Sequence, residues 1–373
     1  MTPVSRTAPI KTVPVLPNKS PVIRVSLGSS ADARSLKLSV DGRCTLMSGG
    51  TESTVLRLPK SGIRLSSRGL NIEHTSRWYR QAVSIYPKQD GTLWFNGRYY
   101  HGRLSLHLEP DGKVTAINHV DLEDYLQGVL GAEVFLSWPQ AAIQAQAVAA
   151  RSYALHQMLK RKDQHIHLGS DSTDQNYLGL ERETARARQI IAQTRGVVLL
   201  SGRGILLTYY HSTCGGHTAD VAKVFEQRTI TPLSGVVCGY CADSRFHHWD
   251  VAFEKGDVTR AFLQNGISVG SFLELKLHGN GSSGRIKTVA LDHSSGTASV
   301  PAADFRRIMG YDRLRSTWFD VKENGRQIHI SGHGWGHGVG LCQWGSRGMA
   351  IRGYTAELIL GHYYPGAKLA KLY

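Results

Sequence analysis

One carboxylate and two pairs of metal-ligating side chains are the parts of this chain best suited to chemistry. Glu133 lies in Tyr125-Leu126-Gln127-Gly128-Val129-Leu130-Gly131-Ala132-Glu133-Val134-Phe135, with apolar neighbours on both sides. A carboxyl group in such surroundings loses solvation in its charged form, so its pKa is expected to rise. A glutamic acid still protonated near neutral pH is what a glycosidase general acid requires. The plain alternative is an exposed glutamate at a helix end. Arg151 sits in Ala147-Val148-Ala149-Ala150-Arg151-Ser152-Tyr153-Ala154. An arginine amid so much apolar sequence must snorkel to water or meet an anion. It forms a structural ion pair, or it orients Glu133 or an acetamido or carboxylate group of a substrate.

Cys214 and His217 form a Cys-x2-His pair, and Cys238 and Cys241 form a Cys-x2-Cys pair. Each pair offers two ligands from a tight turn, which suits a tetrahedral Zn²⁺. Protein would fill all four positions, so the zinc would be structural. His211 can replace His217 as the fourth ligand. Free buried cysteines and a Cys238–Cys241 disulfide are the alternatives. The chain has five cysteines, an odd number and too few for a disulfide scaffold.

Glycine takes five of the ten places from Ser331 to Gly340, around His333, Trp335 and His337. Such a segment buries no core of its own and lets backbone or ligand approach closely. Two histidines four apart would make a metal pair on a helix. The glycines oppose a helix, and no glutamate stands at the usual metalloprotease spacing. Hydrogen bonding to a saccharide or to the catalytic carboxyl is the expected role. A zinc hydrolase using His333 and His337 is a further reading.

These residues need elements to hold them. Residues 1–20 read as a disordered leader rich in Pro, Thr, Lys and Ser. They carry no apolar h-region, so no signal peptide is recognisable there. Residues 21–112 read as a small antiparallel β assembly with Asp-Gly and Gly-Gly turns. Asp121 to Val134 reads as a short helix. Ser137 is expected to cap a long helix from Pro139 to about Arg161, whose middle is apolar all round and therefore buried. Helix, strand and loop then alternate to the C-terminus, so the fold class is α+β: mixed helices and antiparallel sheets, with the β assembly packed on a larger domain.

The 373 residues carry a net charge of +15 and are 41% hydrophobic. This is a globular chain suited to anionic partners such as an envelope polymer. The basic residues are scattered, with no helix-turn-helix or RNP-like pattern, so nucleic acid is not expected as a partner. No segment approaches the ~18 apolar residues of a membrane-spanning helix.

Taken together, the segments resemble the stage II sporulation protein D (SpoIID)/LytB domain family. Val120-Asp121-Leu122-Glu123-Asp124-Tyr125-Leu126-Gln127-Gly128-Val129 is similar to the family's "LEDYLxGVVPSEM" opening. Trp138-Pro139, and then Ala145 through Ala154, resemble "WPxEALKAQAVAARTYA". Asp174-Gln175-Asn176-Tyr177-Leu178-Gly179 resembles "DQVYxG", and His333 through Gly345 resembles "GxGWGHGVGMSQYGAxGMA". The family's "PSEM" is Gly131-Ala132-Glu133-Val134 here, and proline to glycine is expected to loosen a turn before the acid. The resemblance runs from about Tyr99 to the C-terminus and assigns residues 113–373 to a SpoIID/LytB-like catalytic domain, with a zinc-binding loop around 211–248.

The resemblance implies a lytic transglycosylase. It would cleave the β-1,4 bond between N-acetylmuramic acid and N-acetylglucosamine in peptidoglycan strands, with peptide-denuded ones as the expected substrate, and leave a 1,6-anhydro ring. Glu133 would be the general acid and base. Arg151, Tyr153, Gln175, Tyr177, Ser212, His333, Trp335, His337 and Gln343 would contact the glycan, the glycine segment forming one wall of its groove. A location in the cell envelope, a role in sporulation or cell division, and a peptide-stripping amidase as partner follow by resemblance only. The alternative from the LytB side is a non-catalytic, glycan-binding enhancer of a cell-wall amidase.

Overall fold

The computed structural model describes residues 19–373 except 56, 90, 226 and 227. The expected leader therefore lies, up to residue 18, outside the described residues. The chain is α+β, with mostly antiparallel sheets interleaved with helices. It divides into two compact units, 1–138 with 150–207 and 369–373, and 139–149 with 208–368. The long helix Gln140–Lys160 gives its first ten residues to the second unit and the rest to the first.

The first unit holds a seven-stranded and a five-stranded sheet. Val22–Ser30 and Arg103–Leu108 flank Val114–Asp121 antiparallel in the larger one. Alternating burial along Val22–Ser30, with Ile23 and Val25 fully inside, gives that strand one core face. Val114–Asp121 runs directly into helix α1, Leu122–Glu133. Asp121 ends the strand and caps the helix, accepting the Glu123 N–H at 2.8 Å. Val134 then turns extended, so Glu133 is the last residue of α1.

Gly131 lies inside this helix rather than in a turn. A Cβ there would come within 2.2 Å of the Arg182 carbonyl oxygen, and one on Gly128 within 2.5 Å of the Gly179 oxygen. The two glycines let α1 lie flush on the short 3-10 turn Gly179–Arg182. The expected loosening is thus a close packing contact.

Helix α2, Gln140–Lys160, begins one residue later than the sequence suggests. The Pro139 carbonyl accepts the N–H of Ile143, and Ser137 sits in the preceding turn rather than at the cap. The expected all-round burial holds from Ala145 to Leu155 with little exception.

His167 lies where Leu168–Gly169 joins the edge of the seven-stranded sheet. Its Nδ1 accepts the Arg24 N–H at 3.2 Å. Burial, then the Arg24 and Arg161 charges, push its imidazole down to about 4. The unfolded imidazole titrates near 6.5. Between those values the unfolded chain binds the extra proton, so stability is lost as pH falls through this window, by at most about 1.4 kcal/mol per pH unit from this group. Urea midpoints at pH 7.5, 6 and 5 are expected to decline more steeply for wild type than for His167→Asn; equal slopes would remove His167 as a cause.

The second unit holds two three-stranded antiparallel sheets, with strand orders His248–Glu254, Gln327–His333, Phe319–Asn324 and Phe272–Asn280, Ile286–His293, Gly296–Pro301. Phe253, Val258, Phe262, Phe305, Val289 and Ile330 belong to their shared core. A two-stranded parallel pair, Tyr210–His211 with Leu341–Cys342, brings the ends of two distant motifs side by side. Among the described residues, no helix is long and apolar enough to cross a membrane.

Candidate functional site

Glu133 is half-buried at the end of α1, and its Oε1 accepts the backbone N–H of Asn176 at 2.8 Å. The loop that supplies this N–H is anchored at every neighbouring residue. Gln175 is fully buried; its Oε1 accepts the Tyr125 hydroxyl and its Nε2 donates to the Ala150 carbonyl. The Tyr177 hydroxyl, also buried, donates to Asn118 Oδ1 at 3.0 Å. Asp174 accepts from the Tyr153 hydroxyl, Gln157, Arg161 and the Gly169 N–H. Buried polar groups satisfied in this way lock a loop into one conformation.

This corrects three expected glycan contacts. Tyr153, Gln175 and Tyr177 are 6%, 0% and 2% exposed, with their polar ends committed to protein partners. They position Glu133 through the loop. An exposed aromatic that the sequence reading passed over stands two residues beyond the acid. Phe135 is 63% exposed and packs its ring against Trp138 at 5.6 Å. Its signal was an aromatic flanking the acid outside the helical stripe.

Arg151 is also corrected. It is fully buried, and its Nε and Nη2 grip both oxygens of Glu123 at 2.9 and 2.8 Å. Its other donors reach Val197 O and Thr194 Oγ1. Burial pushes the Glu123 carboxyl up. Arg151, the Tyr373 hydroxyl and the Gly196 N–H more than offset this and hold it below the usual range. The structural ion pair is thus the alternative realised, and no face of the guanidinium is left for a substrate.

In the second unit the glycine segment threads between Tyr209–Cys214 and Arg285. Gly334, Gly336, Gly338 and Gly340 all have positive φ. A Cβ on Gly338 would lie 2.2 Å from Arg285 Nε, and one on Gly340 would lie 2.1 Å from the Tyr209 oxygen. Glycine at every second place is therefore required by both conformation and space. Trp335 exchanges two backbone hydrogen bonds with Thr213 and sets its half-buried ring edge-on to Phe246.

The two histidines of the segment differ. His337 Nε2 donates to the Tyr210 carbonyl, and its Nδ1 accepts the Val339 N–H. Burial, then the Arg285 charge, push this imidazole down to about 3, so it is neutral with both nitrogens engaged. It holds the segment and has no nitrogen left for metal or sugar, which corrects its expected glycan contact. His333 is half-buried, stacks on Trp318 at 4.7 Å and meets the His248 ring at 4.3 Å. The pair needed for a zinc hydrolase is not assembled. Gln343 is buried at the start of the helix Gln343–Ile351, and Ser212 is half-buried with its carbonyl accepting the Trp344 N–H.

The thiols form the other centre. The sulfurs of Cys214, Cys238, Cys241 and Cys342 all lie within 4.8 Å of one another, and all four residues are buried. All are free thiols, so the Cys238–Cys241 disulfide is absent. His217 is outside this group, its Nδ1 bonded to the Thr218 carbonyl at 2.6 Å. The fourth position belongs instead to Cys342, carried in by the parallel pairing of His211 with Cys342. His211, the other candidate, uses its Nδ1 on the Val339 carbonyl.

The donor set fits a thiophilic divalent metal. The Cys342 sulfur accepts N–H groups from Cys214 and Gly345, and the Cys214 sulfur accepts one from Gly216. The Tyr363 hydroxyl lies 3.1 Å from Cys238 Sγ. Gly345 leaves room for that contact, since a Cβ there would meet the hydroxyl at 1.9 Å and the sulfur at 2.8 Å. Donors aimed at sulfur stabilise thiolates, which are the metal-binding form. The shared cluster splits the thiols: burial, then the three neighbouring sulfurs, push Cys342 well above the usual thiol range, while hydrogen bonding with Cys214 lowers Cys238 and Cys241. A bound cation would relieve this. Cys342→Ser is expected to abolish metal retention as fully as Cys214→Ser, while His217→Ala keeps about one ion per chain by elemental analysis; the reverse pattern would restore His217.

The comparisons with known proteins fall on these same segments. A family model described as SpoIID, stage II sporulation protein, matches residues 110–200, which hold Glu133, Arg151 and the anchored loop. A model of a domain of unknown function, DUF8618, matches residues 236–340. An uncharacterized protein of Brachyspira hyodysenteriae is 29% identical over 78% of this chain and 77% of its own length. Stage II sporulation protein D of Bacillus subtilis is 25% identical over 69% of this chain and 76% of its own. The amidase enhancer of the same organism is 25% identical over 82% of this chain and 49% of its own. The motifs that position Glu133 lie within the segment that the SpoIID model matches, and the relatives align across both units: residues 110–200 are similar to the SpoIID family.

Proposed function

We propose that the protein is a lytic transglycosylase of peptidoglycan glycan strands, acting in the cell envelope with Glu133 as general acid and base. The observation that carries this is a glutamate fixed at a helix end by a backbone N–H from a fully anchored loop, next to an exposed aromatic ring. Glu133 protonates the glycosidic oxygen of the MurNAc–GlcNAc bond. It then takes the proton of the muramic acid C6 hydroxyl as that oxygen attacks C1 and closes the 1,6-anhydro ring. The substrate supplies its own nucleophile, so the second carboxylate of ordinary glycosidases is not needed. Phe135 offers a face for a pyranose ring, and the net charge of +15 suits an anionic polymer. The four thiols would hold a structural zinc, with no open position for substrate.

Mass spectrometry of peptide-denuded glycan incubated with the pure protein tests this. Fragments ending in 1,6-anhydroMurNAc are expected; reducing-end fragments alone, or none, would sink it. The relative named amidase enhancer favours a second reading, a glycan-binding stimulator of an amidase. Its signature is no product from the pure protein but faster peptide release when a cell-wall amidase is added.

A further inference from the structure

Among the described residues Arg285 is the second buried guanidinium, and it has no carboxylate partner. It is 5% exposed, in the connection between the strands Phe272–Asn280 and Ile286–His293. Its Nη2 donates to the Cys214 carbonyl at 3.0 Å, while Nε and Nη1 have no partner. The head group lies against Gly338, whose missing Cβ makes its room. Among the described residues no acidic side chain forms an ion pair with it; the groups whose charge favours it are Cys214 and Cys342. The contrast with Arg151 is direct, since that guanidinium is matched by both oxygens of Glu123.

An arginine cannot shed its proton to escape burial, and an uncompensated buried charge is strongly destabilising. Without a metal, its hydrogen bond to this cluster goes to the Cys214 carbonyl. Four thiolates around a divalent cation carry a net charge of −2 spread over the sulfurs, and negative charge on Cys214 and Cys342 favours this guanidinium. We propose that Arg285 is the charge-compensating partner of a divalent-metal tetrathiolate centre formed by Cys214, Cys238, Cys241 and Cys342. The inference rests on the metal reading of the thiol cluster and adds the residue that makes the loaded, anionic form the stable one. Arg285 touches the centre through its field and through the Cys214 carbonyl, so it tunes affinity without being a ligand.

Cobalt(II) titration of the full chain, followed by the thiolate-to-metal charge-transfer band and by competition with a chelator, reads the centre directly. Wild type is expected to show the band at one equivalent. Arg285→Met, similar in length but uncharged, is expected to bind about 10–100-fold more weakly, and Arg285→Lys to recover most of the loss. The metal-free proteins are expected to reverse the order, with Arg285→Met at least as stable as wild type to urea, because the uncompensated charge is gone. Equal cobalt affinity in wild type and Arg285→Met would overturn the role of Arg285 while leaving the centre intact. A variant that is weaker in the metal-free form as well would show a packing role instead. No charge-transfer band in wild type would overturn the metal reading itself.

Discussion

Glu133→Gln is expected to lower the rate of anhydroMurNAc formation by about 10²–10⁴-fold, the range that positioned acid–base catalysis supplies. The amide keeps the shape, and its oxygen still accepts the Asn176 N–H that now meets Oε1. The fold and glycan binding should therefore survive, and the loss should fall on kcat with KM little changed. What the amide cannot do is give a proton to the leaving oxygen or take one from the C6 hydroxyl. Circular dichroism and a glycan pull-down on the same sample separate this from misfolding. Equal turnover in wild type and variant would remove Glu133 as the acid.

Arg151→Met is the second large effect, and it is one of stability. It strips Glu123 of the partner on both oxygens while leaving that carboxylate buried beside the Tyr373 hydroxyl. Breaking one half of a buried pair costs about 3–5 kcal/mol, a large part of the ~5–15 kcal/mol that holds a domain folded. Poor soluble yield and a much lower urea midpoint are expected. Replacing both partners by apolar residues, as in Glu123→Leu with Arg151→Met, should recover much of the loss, since an apolar pair leaves no charge stranded. A single variant that keeps wild-type stability yet loses glycan cleavage would return Arg151 to the substrate.

The sequence made the chemistry-bearing segments legible because each is local. A glutamate among apolar neighbours, an arginine in an alanine-rich helix and a Cys-x2-Cys pair are all read within a few residues. What escaped was long-range. Cys342 joins Cys238 and Cys241 through the pairing of strands whose partners are about 130 residues apart, which no spacing rule contains. His217 had the better local spacing and lost the position to strand geometry. Gln175, Tyr153 and Tyr177 show a second limit. A polar side chain in a loop motif looks the same in sequence whether it faces solvent or braces the loop from inside. The α+β class was legible from the change of pattern at Asp121, but the division into units was not, because one continuous helix serves both.

The Glu123–Arg151 pair is completed by the Tyr373 hydroxyl, 250 positions along the chain from Glu123. Between the segments that make up the first unit, residues 208–368 are threaded out as the bulk of the second. During synthesis, residues 208–368 emerge before Leu369–Tyr373 exist to close the first unit. The N-terminal unit is thus begun first and finished last. Its most costly buried charge waits, incompletely matched, until translation has passed the other unit altogether.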